Sequence, residues 1–171
     1  VIHPRTLAPL HRKAIPLTVR SFLEPGATPS RIGPEPGDGD RQPACILRDD
    51  QRLLDISPAD FRFMDEACLG EVLGLLARHG LHANYLTCEA MRLRLAINDD
   101  ATKCAALLAD LRGDYRVECR EGLTLLTVRH PGNGLLQELS GDMPVVAEQC
   151  SATTAQRLFP SDACPTAWHL P

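Results

Sequence analysis

The sequence lacks several features that would place it in a specialised class of protein. Among its 171 residues, no apolar run approaches the roughly 20 residues that a membrane-spanning helix needs. Its 18 lysines and arginines are set against 22 aspartates and glutamates, so no surplus of positive charge is available to neutralise phosphates. We therefore expect neither a membrane nor a nucleic acid as a partner.

Close pairs of metal ligands are missing as well. The seven cysteines are scattered singly without a C-x-x-C pair, and the chain is too long for a small secreted disulfide scaffold. His79 and His82 are three positions apart, but they lie on either side of a predicted helix end. We expect no metal site, and we interpret the cysteines as reduced thiols of a cytoplasmic protein.

The sequence also offers no catalytic constellation. It contains no G-x-x-x-x-G-K-[ST] phosphate loop. The pairs Asp49-Asp50 and Asp99-Asp100 fall at a predicted hairpin turn and a predicted helix cap, where aspartate is common for local backbone reasons. We therefore assign neither a catalytic residue nor a cofactor to this chain.

Composition divides the chain into four segments. Residues 1–26 contain a predicted helix up to Arg12 and a short strand at 15–19, too little to close a core, and the first residue is not a methionine. We interpret this segment as the tail of a preceding domain. Residues 27–43 are rich in proline and glycine and predict an exposed linker. Regular hydrophobic periods follow in 44–120 and again in 121–171.

Residues 44–120 predict the order strand, helix, strand, strand, helix, strand. Apolar runs at 44–47 and 53–57 suggest a hairpin around Asp49-Asp50, and further strands are predicted at 82–87, 91–97 and 115–119. One helix face carries four apolar residues: Leu69, Val72, Leu73 and Leu76. A second helix begins at the capping residue Asp100. This order is that of a ferredoxin-like α+β fold, with two helices on one face of an antiparallel sheet.

Residues 121–171 repeat this plan in a shortened form. We predict strands at 123–128, 143–148 and 155–159, with one short helix at 134–139 between the first two. The chain is therefore expected to contain two ferredoxin-like units in tandem, the second one abbreviated.

Several stretches resemble aspartate kinases. Residues 3–7 and 15–20, together with Pro25-Gly26, are similar to the end of the kinase catalytic domain. Residues 68–80 resemble the first helix of the first ACT-type amino-acid-sensing domain, and 86–89 and 116–123 match later parts of the same region. The resemblance covers nearly the whole chain and identifies it with the C-terminal regulatory region of the family, which in some members is fused to a second pathway enzyme.

The resemblance implies a regulatory role. The parent kinase would use ATP and magnesium to phosphorylate L-aspartate in amino-acid biosynthesis, with its catalytic motifs in a domain that this chain does not include. Its regulatory region would bind an end-product amino acid, inhibit the kinase allosterically and form a homodimer through the ACT-like units. Lysine is our first choice of effector, because Glu89 and Asp65 could receive a second ammonium group, and threonine is the second.

In the family the effector lies where the first sensing domains of two subunits meet. The resemblance transfers this site to the loop that enters the first helix and to the following strand: Met64, Asp65, Glu66, Ala67, Cys68, Leu69, Asn84, Thr87 and Glu89. The hypothesis is that the N–H groups of Cys68 and Leu69 bind the effector's carboxylate, because helix N-termini carry unpaired donors. Asn84 and Glu89 would bind its ammonium group.

Three positions depart from the family pattern. Ala67 replaces the glycine that precedes the helix, Asn84 replaces an aspartate, and Thr87-Cys88-Glu89 replaces Thr-Ser-Glu. Without a one-residue gap, the position of the glutamate falls on Ala90 instead. These departures leave an alternative open, namely a structural dimerisation module whose degenerate pocket binds no effector. An independent enzyme is a third reading, which the lack of a catalytic constellation disfavours.

Overall fold

A computed structural model describes residues 4–33, 43–132 and 134–165, which belong to two compact units divided after Gln42. The first unit contains helix α1 (Pro4–Arg12) and the antiparallel strands β1 (Leu17–Val19) and β2 (Ser30–Ile32). The predicted helix and first strand are confirmed. Strand β2 lies within the predicted linker, and the linker residues 34–42 lie outside the described part of the chain. None of residues 5–33 is buried, in keeping with a segment that does not close a core.

The second unit is built on a six-stranded antiparallel sheet of order β4-β5-β3-β6-β8-β7. Its strands are β3 (Ala44–Pro58), β4 (Ala83–Glu89), β5 (Arg92–Asn98), β6 (Tyr115–Arg129), β7 (Ala147–Cys150) and β8 (Thr154–Pro160). Its helices are α2 (Glu66–Arg78), α3 (Ala101–Leu111) and α4 (Leu135–Ser140), and a single 3-10 turn follows at Ser161–Ala163. Strands β4 and β7 form the two edges of the sheet.

The first ferredoxin-like module contains the later half of β3, α2, β4, β5, α3 and the first half of β6. Helices α2 and α3 pack on one face of the strands and bury a core that includes Val72, Leu76, Leu107 and Leu111. Gly80, at φ +62°, follows the end of α2, and Asp100 caps α3 by accepting a hydrogen bond from the N–H of Lys103 at 3.1 Å. The predicted α+β fold and both of its helices are confirmed.

The predicted hairpin at Asp49-Asp50 is wrong. Strand β3 continues through this position, with irregular pairing between Arg48 and Leu53 and with Asp50 at φ +51°. Strand β6 likewise continues through Gly122, at φ +65°, so the two strands predicted at 115–119 and 123–128 are one. A polar interruption in an alternating pattern fits a turn and a bulge equally well, and here pairing between β3 and β6 keeps both strands extended.

The second module takes one of its strands from the start of the second unit. The first half of β3 pairs with the second half of β6, where Cys45 lies opposite Val128, and β6 then pairs with β8 and β8 with β7. Helix α4 and its flanks pack against Leu126, Val128 and Phe159. The short helix is confirmed, whereas β7 begins at Ala147, four positions later than the predicted strand. No sequence signal indicated the contribution of β3.

The two modules pack against each other through the faces of their strands that α2, α3 and α4 do not cover. One apolar cluster joins them: Leu53, Tyr85, Ala96, Leu123, Leu125, Ala147 and Leu158. Tyr85 lies on β4 and Ala147 on β7, the two ends of the sheet order, so the sheet folds back on itself. Within the part of the chain that the structure describes, no helix has both the length and the apolar character needed to cross a bilayer.

Candidate functional site

The start of α2 is closed by its own capping residue. Asp65 precedes the helix in an extended conformation, and its Oδ1 accepts a hydrogen bond from the N–H of Cys68 at 2.9 Å. The N–H of Leu69 donates to the backbone carbonyl of Asp65, also at 2.9 Å. Both N–H groups that we assign to an effector carboxylate therefore already have acceptors in the chain without a ligand, and their role in effector binding stays a prediction.

The electrostatics of the helix start also oppose the binding of a ligand carboxylate there. The hydrogen bond from the backbone N–H of Cys68 lowers the pKa of the Asp65 carboxyl below its usual value. An ionised carboxylate thus lies at the positive end of the α2 dipole, where an anion is favoured. A ligand carboxylate would have to displace the side chain of Asp65 to bind in the same place.

The loop that enters α2 lies beside the turn between β4 and β5. Met64 is buried in the core of the first module, and its N–H donates to the carbonyl of Ala90 at 2.8 Å. This bond brings the helix start to the end of β4 that carries Glu89, whose side chain is exposed. Ala67 is also exposed, whereas Cys68 is buried and Leu69 is half-buried against the core.

Asn84 lies at the opposite end of β4. Five positions of strand separate it from Glu89, about 16 Å at roughly 3.3 Å per residue, and Thr87 lies between them, half-buried. Within one chain, the structure therefore brings the residues 64–69 near Glu89 and leaves Asn84 apart. The predicted residues form two groups rather than one pocket.

The side chain of Asn84 has a defined orientation. Its Nδ2 donates to Gln51 Oε1 at 2.9 Å and to Asn98 Oδ1 at 2.8 Å. Gln51 is oriented in turn, since its Nε2 donates to the carbonyl of Asp49 at 2.9 Å. Because Nδ2 supplies the donors of Asn84, Oδ1 is its acceptor for a ligand, and an ammonium group requires an acceptor.

Gln51 and Asn98 were not singled out in the sequence. Gln51 is only 1% exposed although it lies in the irregular part of β3. Its burial is what distinguishes it from other glutamines, and burial is known only from the structure. Beside it is an open polar cavity of about 390 Å³, which is lined by Arg48, Asp49, Asp50, Gln51, Asn98 and Asp99. Among the described residues, no group of three or more His, Cys, Asp or Glu side chains is arranged to hold a metal ion.

Two aromatic side chains near the α2 entrance were also missed. Phe61 and Phe63 are 71% and 69% exposed, and the guanidinium of Arg116 lies 4.8 Å from the centre of the Phe61 ring. Phe61 has a φ of +63°, which is rare for a bulky residue. Both residues precede Met64 in the loop that enters α2, and their rings add to its exposed surface.

The fold defines a class of protein: two ferredoxin-like modules with helices outside and strands between them form a tandem ACT-type regulatory region. No protein-family profile matches the sequence. The chain is 30% identical over 135 residues, 75% of its length, to the lysine-sensitive aspartokinase 3 of Escherichia coli K12. The matched part spans 30% of that relative.

Solved structures of aspartate kinases resemble the chain as well. Aspartokinase III of E. coli in complex with lysine and aspartate is 26% identical, with a TM-score of 0.68 over 95% of this chain and 39% of that one. The ligand-free regulatory subunit of aspartate kinase from Thermus thermophilus shares the fold at 11% identity, with a TM-score of 0.56 over 72% of this chain and 91% of that one. The chain is a regulatory region of the aspartate kinase family.

Proposed function

We propose that this region binds an end-product amino acid between two copies of its first module and thereby inhibits the phosphorylation of L-aspartate by ATP. Lysine is the first candidate and threonine the second. The parent protein would be a cytoplasmic kinase that uses ATP and magnesium. The E. coli relative is lysine-sensitive, and its solved structure contains lysine, which supports the order of candidates.

The observation that carries the proposal is the position of Asn84 and Glu89 at opposite ends of an edge strand. An exposed edge presents unpaired backbone groups that favour pairing with another strand. If two copies pair antiparallel about a twofold axis at Leu86, Asn84 of one copy lies opposite Cys88 of the other, next to Glu89. The two groups that are separated within a chain then meet across the interface.

The chemistry of such a pocket suits an ammonium group. Asn84 Oδ1 supplies a neutral acceptor and the exposed Glu89 a negative charge, so a ligand with two ammonium groups gains more than a ligand with one. Inhibition requires that the ligand bind the inactive arrangement of the kinase better than the active one. Couplings of this kind are typically about 1–3 kcal/mol.

Calorimetric titration of the 171-residue chain with lysine, threonine and methionine tests the proposal. We expect saturable heat with lysine, and a Kd raised roughly tenfold or more by Glu89→Gln, because glutamine keeps an acceptor oxygen but removes the negative charge that strengthens a hydrogen bond from an ammonium group. Glu118→Gln is the matched control, since Glu118 is an exposed strand residue of the same module. An unchanged Kd in the Glu89→Gln variant would contradict the assigned role of Glu89.

The second candidate is a module that only pairs subunits. It is favoured by one observation, the Asp65 side chain that occupies the start of α2. In that case the chain would dimerise and none of the three amino acids would produce heat. Dimerisation measured by sedimentation in the same buffer, together with calorimetric silence, would select this function over effector binding.

A further inference from the structure

A side-chain hydrogen bond joins the second module to the strand on which we place the effector. Gln156 lies on β8, and its Nε2 donates to the backbone carbonyl of Asn84 at 3.1 Å and to Thr127 Oγ1 at 3.0 Å. The two bonds to one amide group fix the glutamine between its own module and β4. Gln156 and Asn84 are 72 positions apart in the sequence.

Asn84 makes this contact at an irregular point of β4. The pairing with β5 steps from Ala83 to Tyr85, opposite Ile97 and Ala96, so Asn84 falls in the irregularity between them. Its backbone carbonyl bonds to the second module, while its side chain bonds to Gln51 and Asn98 of the first. Asn84 is thus held by both modules at once.

The next residue of β4 strengthens the same connection. Tyr85 is 2% exposed in the apolar cluster between the modules, and its hydroxyl donates to the carbonyl of Glu148 on β7 at 3.1 Å. Two consecutive residues of β4 therefore contact β8 and β7. A shift of β4 against the second module must break or move both bonds.

We infer that Gln156 is a positioning residue that couples effector binding on β4 to the second module. The inference rests on the proposed function, since it concerns how binding at Asn84 is transmitted. A ligand changes the second module only if the two modules are linked by contacts that differ between its bound and free states. The Gln156 bond links the two modules at this point, and its acceptor belongs to the residue to which we assign the ligand.

Hydrogen exchange with and without saturating lysine tests the coupling in the 171-residue chain. In the wild type we expect lysine to slow exchange in the peptides that cover β4 and β8. Gln156→Met keeps the size of the side chain and removes the donor, so slowing should persist in β4 and be lost in β8. Gln149→Met is the matched control, because Gln149 is an exposed glutamine on β7 directly opposite Gln156. It should behave as the wild type.

A second variant tests whether the loss of the β8 response is due only to altered packing around the new side chain. Gln156→Glu keeps nearly the same shape but presents acceptors to the Asn84 carbonyl, and it should lose the β8 response as Gln156→Met does. If lysine still slows hydrogen exchange in β8 of both variants, the inference is overturned. It is also overturned if lysine slows exchange in β4 of the wild type but not in β8. If neither strand responds and no heat of binding is found with lysine or threonine, the proposed function fails, and the inference fails with it.

Discussion

At the scale of single residues, Asp65 occupies the start of α2 with its own side chain. Its carboxylate caps the helix through the N–H of Cys68. The same geometry that stabilises the helix also uses the donors that a ligand carboxylate would need. An aspartate at this position can therefore satisfy the helix and exclude an anionic ligand group at the same time.

The capping role of Asp65 predicts that the stability of the folded chain depends on pH. The pKa of Asp65 is lowered in the folded chain by the hydrogen bond from the Cys68 backbone. Its stabilising contribution is therefore present above the pKa of an unfolded aspartate, about 3.9, and is lost as the pH falls through the lower folded value. Asp65→Ser keeps a capping oxygen that does not titrate. Between pH 7 and pH 3, the urea midpoint should fall less in this variant than in the wild type, and parallel profiles would contradict the assignment.

At the scale of elements, Gly122 allows β6 to run through both modules. Its φ of +65° is strained for any residue with a Cβ, although no atom lies within 4 Å of the position of that Cβ. Gly122→Ala should therefore lower the free energy of unfolding by about 1 kcal/mol through backbone strain alone. Urea denaturation measures the change.

A glycine in a helix provides the opposite control. Gly74 is exposed in α2, and no atom lies near the position of its Cβ either. Gly74→Ala should raise the free energy of unfolding by about 0.5–1 kcal/mol, since alanine loses less backbone entropy in a helix. Equal effects of the two substitutions would show that strand β6 is not strained at Gly122.

The helices could be predicted because their signals are local. The apolar stripe of α2, the cap at Asp100 and the glycine at Gly80 each lie within a few positions of the helix that they define. The bulges at Asp50 and Gly122 could not be distinguished from turns in the same way. Whether a strand stops or continues there depends on pairing with a partner far away in the sequence.

The candidate site could be predicted only in part, because some of its residues depend on contacts that are distant in the sequence. The family pattern supplied Asn84 and Glu89, but the partners that orient Asn84 lie 33 positions away at Gln51 and 72 away at Gln156. Neither glutamine belongs to a motif. Their roles depend on the packing of the modules against each other, which hydrophobic periodicity does not encode.

At the scale of the whole molecule, β3 and β6 connect the two modules into one folding unit. Each strand contributes one half to each module, so neither module can lose its strands without affecting the other. Leu76→Ala in the first core and Phe159→Ala in the second should each lower the free energy of unfolding by about 2–5 kcal/mol. In both variants urea denaturation should still show a single transition. Leu73 belongs to the apolar face predicted from the sequence but is 41% exposed in α2, so Leu73→Ala should change the free energy of unfolding by less than about 0.5 kcal/mol. Two separate transitions would contradict the shared-strand architecture.

The proposed pairing of two copies requires that the edge strand β4 be open to a second strand. Cys88 on β4 and Cys150 on β7 are both exposed cysteines on edge strands, at opposite ends of the sheet order. A lysine on an edge strand opposes strand pairing, because its charge would have to lose water where the second copy packs against it. Cys88→Lys should convert a dimer into a monomer in sedimentation equilibrium, whereas Cys150→Lys should leave the dimer intact. The reverse result would place the contact at β7, and Asn84 and Glu89 would then not meet across it.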